Sequence, residues 1–376
     1  MIRIISMLAL VFAGLRLLVA LVNFLSRLSI KGKEKGQEDL VSVLIPARNE
    51  ENNIGGLLDQ LRGQDYKNLE IIVLDDNSDD KTVAVVNLKM ESDSRIKLLK
   101  NNDLPEGWSG KNHACHLLSQ KANGKYFLFL DADISIKNNI IPVMVSYLDH
   151  YSLALVSIFP KQIMHSFGER ISVPNMNWIL LSLLPLVMVR LSKRPSLTAA
   201  NGQFMLFNAT IYRKLGPHQK ARASIVEDIE MMREIKKLRP DKNRRKSLRN
   251  RYKTAVITGD DRISCRMYHN FDEAVHGFSK NVLHFFGNSL VWTLIFLLLT
   301  GPVIIILPFY SLTFTLIYLL AGISIRILIS LTSKQNILYN IILAPLQQLS
   351  LYFIVYKAVK IKFAGSYTWK GRQVKI

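Results

Sequence analysis

Residues 125–136 have the sequence KYFLFLDADISI, an apolar run that ends on two aspartates one residue apart. The run has the length and composition of a buried β-strand, which puts Asp131 and Asp133 at its carboxyl end. Two carboxylates at that spacing repel each other, and both lose hydration beside a core. The pattern therefore predicts that a positively charged group lies against this strand end.

Short apolar runs alternate with helical stretches between about residues 40 and 160. Runs rich in Val, Ile, Leu and Phe predict strands, and helical periodicity fills the gaps between them. The predicted strands are 41–47, 69–76, 96–100, 125–133 and 153–159, and the predicted helices are 51–62, 79–91, 111–121 and 138–148. This order predicts an α/β fold with a mostly parallel sheet sandwiched by helices.

Polar segments follow three of these strands: PARNEE after the first, DDNSDD after the second and DAD after the fourth. Ligands of such sheets bind beyond the carboxyl ends of the strands, so we expect the three segments to converge on one edge. Neither a P-loop nor a dinucleotide fingerprint follows the first strand. The Asp-x-Asp pair suits a hard cation, Mg2+ or Mn2+, held together with substrate phosphates. The alternative is an ordinary solvated turn. The polar segments at two other strand ends favour a ligand site over this alternative.

The composition indicates a soluble domain joined to membrane segments. Of the 376 residues, 49% are hydrophobic and 21% are charged, a mixture that does not fit a uniform globule. The net charge of +20 predicts an anionic partner, such as nucleic acid, anionic lipid or a phosphorylated substrate. Two cysteines exclude a disulfide framework.

Four stretches are apolar enough to face lipid: 2–25, 289–309, 311–331 and 337–358. A fifth, 176–191, is short and contains a proline, so it predicts an interfacial or buried helix rather than a span. The first stretch has a cleaved signal peptide as its alternative, which an internal arginine disfavours.

The apolar stretches predict a multi-pass protein of the cell membrane. Three lysines soon after the first stretch, Lys31, Lys33 and Lys35, predict that the domain that follows is cytoplasmic. The basic C-terminal tail also favours the inside, so one C-terminal segment is predicted to be re-entrant or interfacial.

Five pieces of sequence occur in a fixed order between residues 45 and 231: IPARNEE, EIIVLDDNSDD, GKNHACHLLSQKANGKYFLFLDADI, NGQFMLFNATIYRKLG and VEDIEM. Together they resemble family 2 glycosyltransferases of the GT-A fold. A narrower likeness is to bacterial membrane glycosyltransferases that act on carotenoid acids and hopanoid-type lipids. It rests on LPEGWSGKNHAC, RMYHNFDEAVHGFSKN and YTWKGRQV.

The resemblance implies roles for the residues at the strand ends. Asp76 would accept hydrogen bonds from the uracil or ribose, Asp131 and Asp133 would form the metal–diphosphate site, and Asp133 would be the direct metal ligand. Lys111, at a helix start, would face the diphosphate, although an ordinary surface lysine is the alternative. Trp108 would either stack on the donor or close its own loop. The nucleotide pocket would be lined by Asp76 together with Pro46, Ala47, Arg48, Asn49 and Glu50.

A base must take the proton of the acceptor hydroxyl, and the acidic pair Glu227–Asp228 matches the family pattern. Asp228 is our prediction for this base, with Glu227 second in line. The alternative, an acidic first turn of a helix, is compatible with that role. In-line attack predicts inversion at the anomeric carbon.

Two other polar clusters receive less specific interpretations. His113, Cys115 and His116 fit helix packing better than metal binding, because no further ligand cluster accompanies them. The basic stretch 233–253 is interpreted either as a solvated loop or as a contact with anionic lipids. Nucleic acid is not an expected partner, since Tyr252 is the one aromatic residue in that stretch.

The sequence thus predicts an inverting glycosyltransferase that moves a sugar from a UDP-sugar to a membrane lipid, such as a carotenoid acid or another isoprenoid or glycolipid. A processive polysaccharide synthase is one alternative, although the QxxRW signature of many such enzymes is missing. A haloacid-dehalogenase-like phosphatase and an inactive scaffold are the others. The predicted domains are an anchor (1–28), a nucleotide-sugar half (36–160), an acceptor half with interfacial helices (161–285) and a C-terminal membrane region (286–376).

Overall fold

The computed structural model describes residues 2–27, 39–101, 103–137, 139–238, 253–369 and 372–375. The chain divides into two compact units. The sheet unit comprises residues 28–161 and 186–266, and the helical unit comprises residues 1–27, 162–185 and 267–376. The four domain boundaries expected from the sequence remain predictions.

The described elements are numbered along the chain. The strands are β1 (Val41–Ala47), β2 (Leu69–Asp75), β3 (Ile96–Lys100), β4 (Tyr126–Leu130), β5 (Ile134–Ile136), β6 (Leu153–Phe159), β7 (Lys161–Gln162), β8 (Phe204–Asn208), β9 (Lys253–Thr258), β10 (Ile263–Cys265), β11 (Ser366–Trp369) and β12 (Arg372–Lys375). The α-helices are α1 (Ile2–Leu25), α2 (Ile54–Arg62), α3 (Thr82–Ser92), α4 (Gly110–Lys121), α5 (Ile140–His150), α6 (Phe167–Ser172), α7 (Pro174–Leu183), α8 (Val187–Leu191), α9 (Ala209–Leu215), α10 (Pro217–Lys220), α11 (Glu227–Lys237), α12 (Phe271–Ser279), α13 (Leu290–Thr300), α14 (Val303–Ile306), α15 (Leu312–Ser333), α16 (Ile337–Ile342) and α17 (Ala344–Ala364). Short 3-10 helices cover Val282–Phe286 and Leu307–Phe309.

A seven-stranded sheet in the order β3-β2-β1-β4-β8-β6-β9 forms the centre of the sheet unit. Strands β3, β2, β1 and β4 run parallel, while β8 runs antiparallel to both β4 and β6. The mostly parallel α/β sheet predicted from the sequence is therefore confirmed. Since β1, β2 and β4 are parallel, the three polar segments that follow them do lie at one edge.

The strands of this unit are almost fully buried, which explains their continuous apolar sequences. Every residue of β2 and of β4 is buried, and the buried core continues into the facing helices. Strand β4 ends at Leu130, earlier than predicted, so Asp131 and Asp133 lie in the turn between β4 and β5. Strand β8 returns beside this turn, and the N–H of Asp131 donates to the carbonyl of Gln203 over 3.1 Å.

The helical unit contains two helices that are long and apolar enough to cross a membrane, α1 and α15, within the part of the chain that the structure describes. The segments Leu290–Thr300 and Val303–Phe309 would form a third span if they cross as one, although they are bent by 42° at Gly301 and Pro302. Membrane association follows from these helices.

One of the predicted lipid-facing stretches is wrong as a span. Residues 337–358 are interrupted at Leu343, between α16 and α17, and neither helix qualifies as a crossing segment. Pro345 in the first turn of α17 lacks the N–H that a continuous helix needs, and Lys360 and Lys362 lie in the last two turns. The stretch 176–191 is likewise not a span, as predicted: it breaks between α7 and α8.

Polar side chains of α1 are buried inside the helical unit rather than facing lipid. The guanidinium of Arg16 donates to the hydroxyl of Ser182 over 2.9 and 3.0 Å. The amide of Asn23 donates to the carbonyls of Leu181 and Leu184 over 2.8 and 2.9 Å. These contacts explain why an apolar segment tolerates both residues.

We predict that detergent extracts the protein from membranes, whereas carbonate and high salt leave it in the pellet. The reason is that α1 and α15 expose large apolar side chains that only lipid or detergent can cover. Fractionation followed by immunoblotting measures this, with a peripheral membrane protein as the control. Release by carbonate would show that these helices do not enter the bilayer.

Candidate active site

The segments that follow β1 and β2 are fastened to each other by hydrogen bonds. Five of these join residues 49–51 to residues 78–82: Asn49 N to Ser78 Oγ (3.0 Å), Glu50 N to Thr82 Oγ1 (2.8 Å), Glu51 N to Asp80 Oδ2 (3.0 Å), Asp79 N to Asn49 Oδ1 (2.9 Å) and Lys81 N to Glu51 Oε2 (3.0 Å). The backbone of Asn49 is left-handed, with φ of 54°, a conformation that asparagine tolerates. This edge of the sheet is therefore held in one arrangement.

The residues predicted to line the nucleotide pocket come together at this edge. Pro46 and Ala47 end β1, and the carbonyl of Ala47 accepts the N–H of Asp76 over 2.8 Å. Arg48 Nη1 donates to the Asp76 carbonyl over 2.7 Å. The Asp76 carboxylate is buried and accepts from Asn101 Nδ2 over 3.4 Å.

Trp108 lies against the two histidines of α4. Its ring centroid is 5.3 Å from that of His113 and 5.1 Å from that of His116. Burial lowers the pKa of both imidazoles, so both are neutral at pH 7. Among the described residues, no group of three His, Cys, Asp or Glu side chains is arranged to hold a metal ion.

Lys111 is the positive group beside the aspartate pair. Its ammonium lies 2.7 Å from Asp131 Oδ1 and 3.8 Å from Glu227 Oε1. Burial alone would lower the pKa of Lys111, but the carboxylates of Asp131 and Glu227 outweigh burial and raise it above its ordinary value. The opposite charge that the sequence pattern requires is thus present within the protein itself.

Asp133 has one carboxylate oxygen without a protein donor. Its Oδ1 is buried and has no hydrogen-bond partner among the described residues. The Cys265 thiol hydrogen-bonds the carboxylate, and Gln203 Nε2 in turn donates to Cys265 Sγ over 2.8 Å. Burial, followed by the charges of Asp131 and Glu50, raises the pKa of Asp133 to about 6. A carboxylate with a buried oxygen left over and acidic neighbours fits a divalent cation.

The acidic pair lies in the first turn of α11, as predicted. Burial raises the pKa of Glu227, with Lys111 opposing and Asp228 adding to the effect. Burial also raises the pKa of Asp228, although its carboxylate accepts the N–H of Ile229 over 2.7 Å and that of Gly202. Both carboxyl groups therefore titrate closer to neutrality than ordinary ones.

A glycine lets the backbone pass close to this cluster. A Cβ on Gly202 would lie 3.3 Å from Lys111 Nζ and 3.4 Å from Glu227 Oε1. These contacts are tighter than most side chains allow. Gly202 therefore permits β8 to approach both the lysine and the acidic turn.

Asn112 fixes the segment before α11 against the start of α4. Its buried amide donates to the carbonyls of Ala221, Arg222 and Ser224 over 2.8, 3.3 and 3.1 Å. The sequence analysis did not single out Asn112, Gly202, Gln203 or Cys265. Three of them lie inside the pieces GKNHAC and NGQF, whereas nothing in the sequence points to Cys265.

Comparison with known proteins identifies the domain. The model of the family described as Glycosyl transferase family 2 matches residues 42–216. Residues 42–216 are a family 2 glycosyltransferase domain. The match covers the strand ends, Lys111 and the aspartate pair, and it ends before α11.

Two curated relatives and one solved structure are similar to this chain. A 4,4'-diaponeurosporenoate glycosyltransferase of Staphylococcus haemolyticus is 26% identical over 68% of this chain and 64% of its own length. A UDP-Glc:alpha-D-GlcNAc-diphosphoundecaprenol beta-1,3-glucosyltransferase of Escherichia coli is 39% identical over 25% of this chain and 36% of its own. The match thus spans less than two thirds of either relative. A mannosyltransferase of Pyrobaculum calidifontis, solved in complex with GDP-Man and Mn2+, has a TM-score of 0.58 at 16% identity, covering 97% of this chain and 99% of its own.

The structural likeness confirms the GT-A fold, and the relatives confirm the predicted resemblance to membrane-lipid glycosyltransferases. The fold does not assign chemistry to individual side chains. The roles of Asp76, Lys111, Asp131, Asp133 and Asp228 therefore remain predictions at this point.

We predict that Asp133→Asn stabilises the ligand-free protein and removes its response to metal and nucleotide. The pKa of Asp133 in the folded state is raised above its ordinary 3.8, so ionisation destabilises the fold as the pH rises from about 4 through 6, and that cost is fully present at neutral pH. Thermal unfolding at neutral pH should show a midpoint a few degrees higher for Asp133→Asn. Added UDP and Mn2+ should raise the unfolding midpoint of the wild type but not that of Asp133→Asn.

The exposed Asp103 provides the control. Asp103→Asn should change neither the unfolding midpoint of the ligand-free protein nor its rise on addition of UDP and Mn2+. Stabilisation of the Asp133→Asn variant by UDP with Mn2+, equal to that of the wild type, would exclude Asp133 as a metal ligand.

Proposed function

We propose that the protein is a metal-dependent, inverting glycosyltransferase that moves a sugar from a UDP-sugar to a lipid in the membrane. The observation that carries this proposal is the cluster at one edge of a GT-A sheet. There a lysine, two aspartates in a turn and an acidic helix start surround the polar ends of three parallel strands. The family 2 domain supports the same conclusion and counts against the phosphatase alternative.

The donor is proposed to bind along this edge. The segment from Pro46 to Glu50 and the buried Asp76 contact the nucleoside, and Asn101 orients the Asp76 carboxylate. Asp133 holds a divalent cation, Mg2+ or Mn2+, and Asp131 belongs to the same metal–diphosphate site. When bound, that ion stabilises the charge of the departing diphosphate. The positive charge of Lys111 also stabilises the departing diphosphate.

The proton of the acceptor is proposed to pass to Asp228. A base has to be ionised before it can accept a proton, and the N–H groups of Gly202 and Ile229 stabilise the ionised form of this carboxylate. Glu227 faces Lys111 instead, which makes it the less suitable base. Attack from the side of Asp228, opposite the leaving diphosphate, gives inversion.

The acceptor is proposed to be a lipid with an apolar chain, such as a carotenoid acid or another isoprenoid or glycolipid. The apolar surface of the helical unit and the names of the relatives support this class. Single transfer is favoured over processive synthesis because the QxxRW signature is missing from the sequence.

The proposed setting is a multi-pass protein with a cytoplasmic sheet unit. This orientation rests on Lys31, Lys33 and Lys35, which lie outside the described residues. Anionic lipids remain proposed partners because of the net charge of +20. Of the basic stretch 233–253, residues 239–252 are also outside the described part of the chain.

Lipid analysis tests the function itself. Membranes that contain the protein are incubated with labelled UDP-sugars, and the extracted lipids are analysed by mass spectrometry. A glycosylated lipid should form in the presence of Mn2+ or Mg2+ and disappear with a chelator. Transfer that withstands the chelator would contradict the metal-dependent mechanism.

We predict that Asp228→Asn separates chemistry from binding. A base acts on the acceptor proton, so transfer should fall by about 10²–10⁴-fold while UDP affinity stays nearly unchanged. Asp76→Ala should show the reverse, with UDP binding weakened directly. Calorimetric titration with UDP and Mn2+, beside the transfer assay, compares the two. If Asp228→Asn transfers sugar at the normal rate, Asp228 only stabilises the first turn of α11. Glu227 then becomes the candidate for the catalytic base.

The pH profile gives a second measurement, on the buried carboxyl groups of the site together, since Asp133, Glu227 and Asp228 all have a raised pKa. Because burial raises the pKa of Asp228, transfer should decline with falling pH well before the ordinary aspartate value of 3.8 is reached. The logarithm of kcat/KM plotted against pH shows this acidic limb. A profile that stays flat down to pH 4 would argue against a buried carboxylate base.

A further inference from the structure

Two buried side chains lie in line behind the candidate metal ligand Asp133. The Cys265 thiol hydrogen-bonds the Asp133 carboxylate, and Gln203 Nε2 donates to Cys265 Sγ over 2.8 Å. Cys265 is within reach because β10 pairs with β5, which sets Cys265 opposite Ile134, the residue that follows Asp133. Cys265 and Gln203 are only 2% and 4% exposed, so bulk water does not compete for these hydrogen bonds.

The hydrogen bonds of this chain of side chains run in one direction. An ionised carboxylate can only accept, so the single proton of the Cys265 thiol is donated to Asp133. The sulfur is then left as an acceptor, and the amide of Gln203 has to present Nε2 to it rather than Oε1. The charge on Asp133 therefore fixes the orientation of the glutamine two steps away.

The observed orientation of the Gln203 amide favours the carboxylate over the amide itself. Gln203 Oε1 is buried and has no hydrogen-bond partner among the described residues, which costs free energy. With the amide turned over, Oε1 would face the sulfur and take the thiol proton, and Asp133 would lose its donor. The arrangement thus keeps the thiol proton directed at Asp133.

The backbone of Gln203 is itself fixed to the central sheet. Its N–H donates to Asn201 Oδ1 over 2.8 Å, and its carbonyl accepts the N–H of Asp131 over 3.1 Å. Asn201 is held by Ser157 of β6, whose hydroxyl donates to the Asn201 carbonyl over 2.9 Å and accepts its N–H over 2.8 Å. The chain that leads to Asp133 therefore begins at a rigid segment.

This chain restrains the Asp133 carboxylate and leaves one of its oxygens over. The carboxylate has the thiol as a donor, while Oδ1 has no partner among the described residues. A carboxylate held by such a bond keeps one orientation, so Oδ1 keeps a fixed direction. Partners behind a metal ligand commonly orient it in this way, and their loss weakens metal binding.

We propose that Cys265, oriented by Gln203, is a positioning residue for the metal ligand Asp133. It holds the carboxylate so that Oδ1 is presented to the divalent cation, and it touches neither the cation nor the substrate. The inference rests on the proposed role of Asp133 in the metal–diphosphate site. Cys265 lies beyond residues 42–216, the part of the chain that the family model matches, so membership of the family does not supply this residue.

Binding of Mn2+ to the full chain in detergent, with UDP present, tests the positioning role. Electron paramagnetic resonance measures free Mn2+, and UDP without protein is the reference. Cys265→Ala removes the donor and should raise the Kd for Mn2+ by about 10–100-fold, the usual effect of losing a partner behind a metal ligand. Cys265→Ser keeps a donor and should recover most of the affinity. Gln203→Met no longer orients the thiol and should raise the Kd by about tenfold.

Cys115→Ala is the matched control. Cys115 is also 2% exposed, but it lies on α4, outside the chain that leads to Asp133. Both alanine variants lose the packing of a buried thiol, so thermal unfolding should show a lower midpoint for both. Cys115→Ala should nevertheless bind Mn2+ as the wild type does. In the transfer assay, Cys265→Ala should need more Mn2+ for half-maximal rate while its kcat at saturating Mn2+ stays close to the wild-type value.

The possible failures are distinguishable. A wild type that binds no Mn2+ beyond the UDP reference would refute the metal role of Asp133, and the positioning role with it. A wild type that binds Mn2+ no more tightly than Cys265→Ala would refute the positioning role alone. Equal losses of affinity in Cys265→Ser and Cys265→Ala would show that sulfur packing matters and the hydrogen bond does not. If Cys265→Ala fails to fold, wild-type Mn2+ affinity in Gln203→Met would overturn the proposal.

Discussion

The ion pair between Lys111 and Asp131 is the constraint on which the sheet edge depends. Four acidic side chains meet there, and the 2.7 Å contact provides them with a cation. Without it, the turn after β4 and the first turn of α11 would present uncompensated negative charge to each other. The surrounding structure is arranged to keep this contact: Asn112 fastens the segment before α11, and Gly202 gives the ammonium room.

The sheet edge and the helical unit contain opposite excesses of charge. The sheet unit gathers carboxylates at one edge of its sheet, and burial raises the pKa of Asp133, Glu227 and Asp228 even with a lysine present. The helical unit gathers cations and has few acids. An excess of carboxylates favours a metal ion, whereas an excess of guanidinium groups favours an oxygen anion.

The sequence predicted the parts of the fold that local pattern controls. Strands β1 to β4 were recognisable because parallel strands buried on both faces are continuously apolar. Strands β8 and β9 lie beyond residues 40–160, the segment for which strands were predicted. Helices α2 and α3 begin later than predicted, since the residues before them are held in turns by the hydrogen bonds between residues 49–51 and 78–82.

The parts that failed depend on contacts distant in sequence. The predicted span at 337–358 has sufficient apolar residues, but Pro345 and the buried amides of Asn340 and Gln347 belong to an interior network instead. Cys265 reaches Asp133 only because β10 pairs with β5, which no periodicity reveals. The ion pair of Lys111 with Asp131 was not predicted, because it joins a helix start to a turn 20 residues further along the chain.

That pairing bears on how Lys111 serves the proposed reaction. A divalent ion held by Asp133 would offset charge on the diphosphate of a bound nucleotide sugar, and transfer of the sugar would add further negative charge to the leaving group. The additional charge needs a cation already in place, because reorganising one during the reaction would be costly. Asp131 and Glu227 keep Lys111 protonated and oriented before any ligand arrives. The carboxylates of Asp131 and Glu227 make the site acidic, and they also position the protonated Lys111 that the proposed reaction needs.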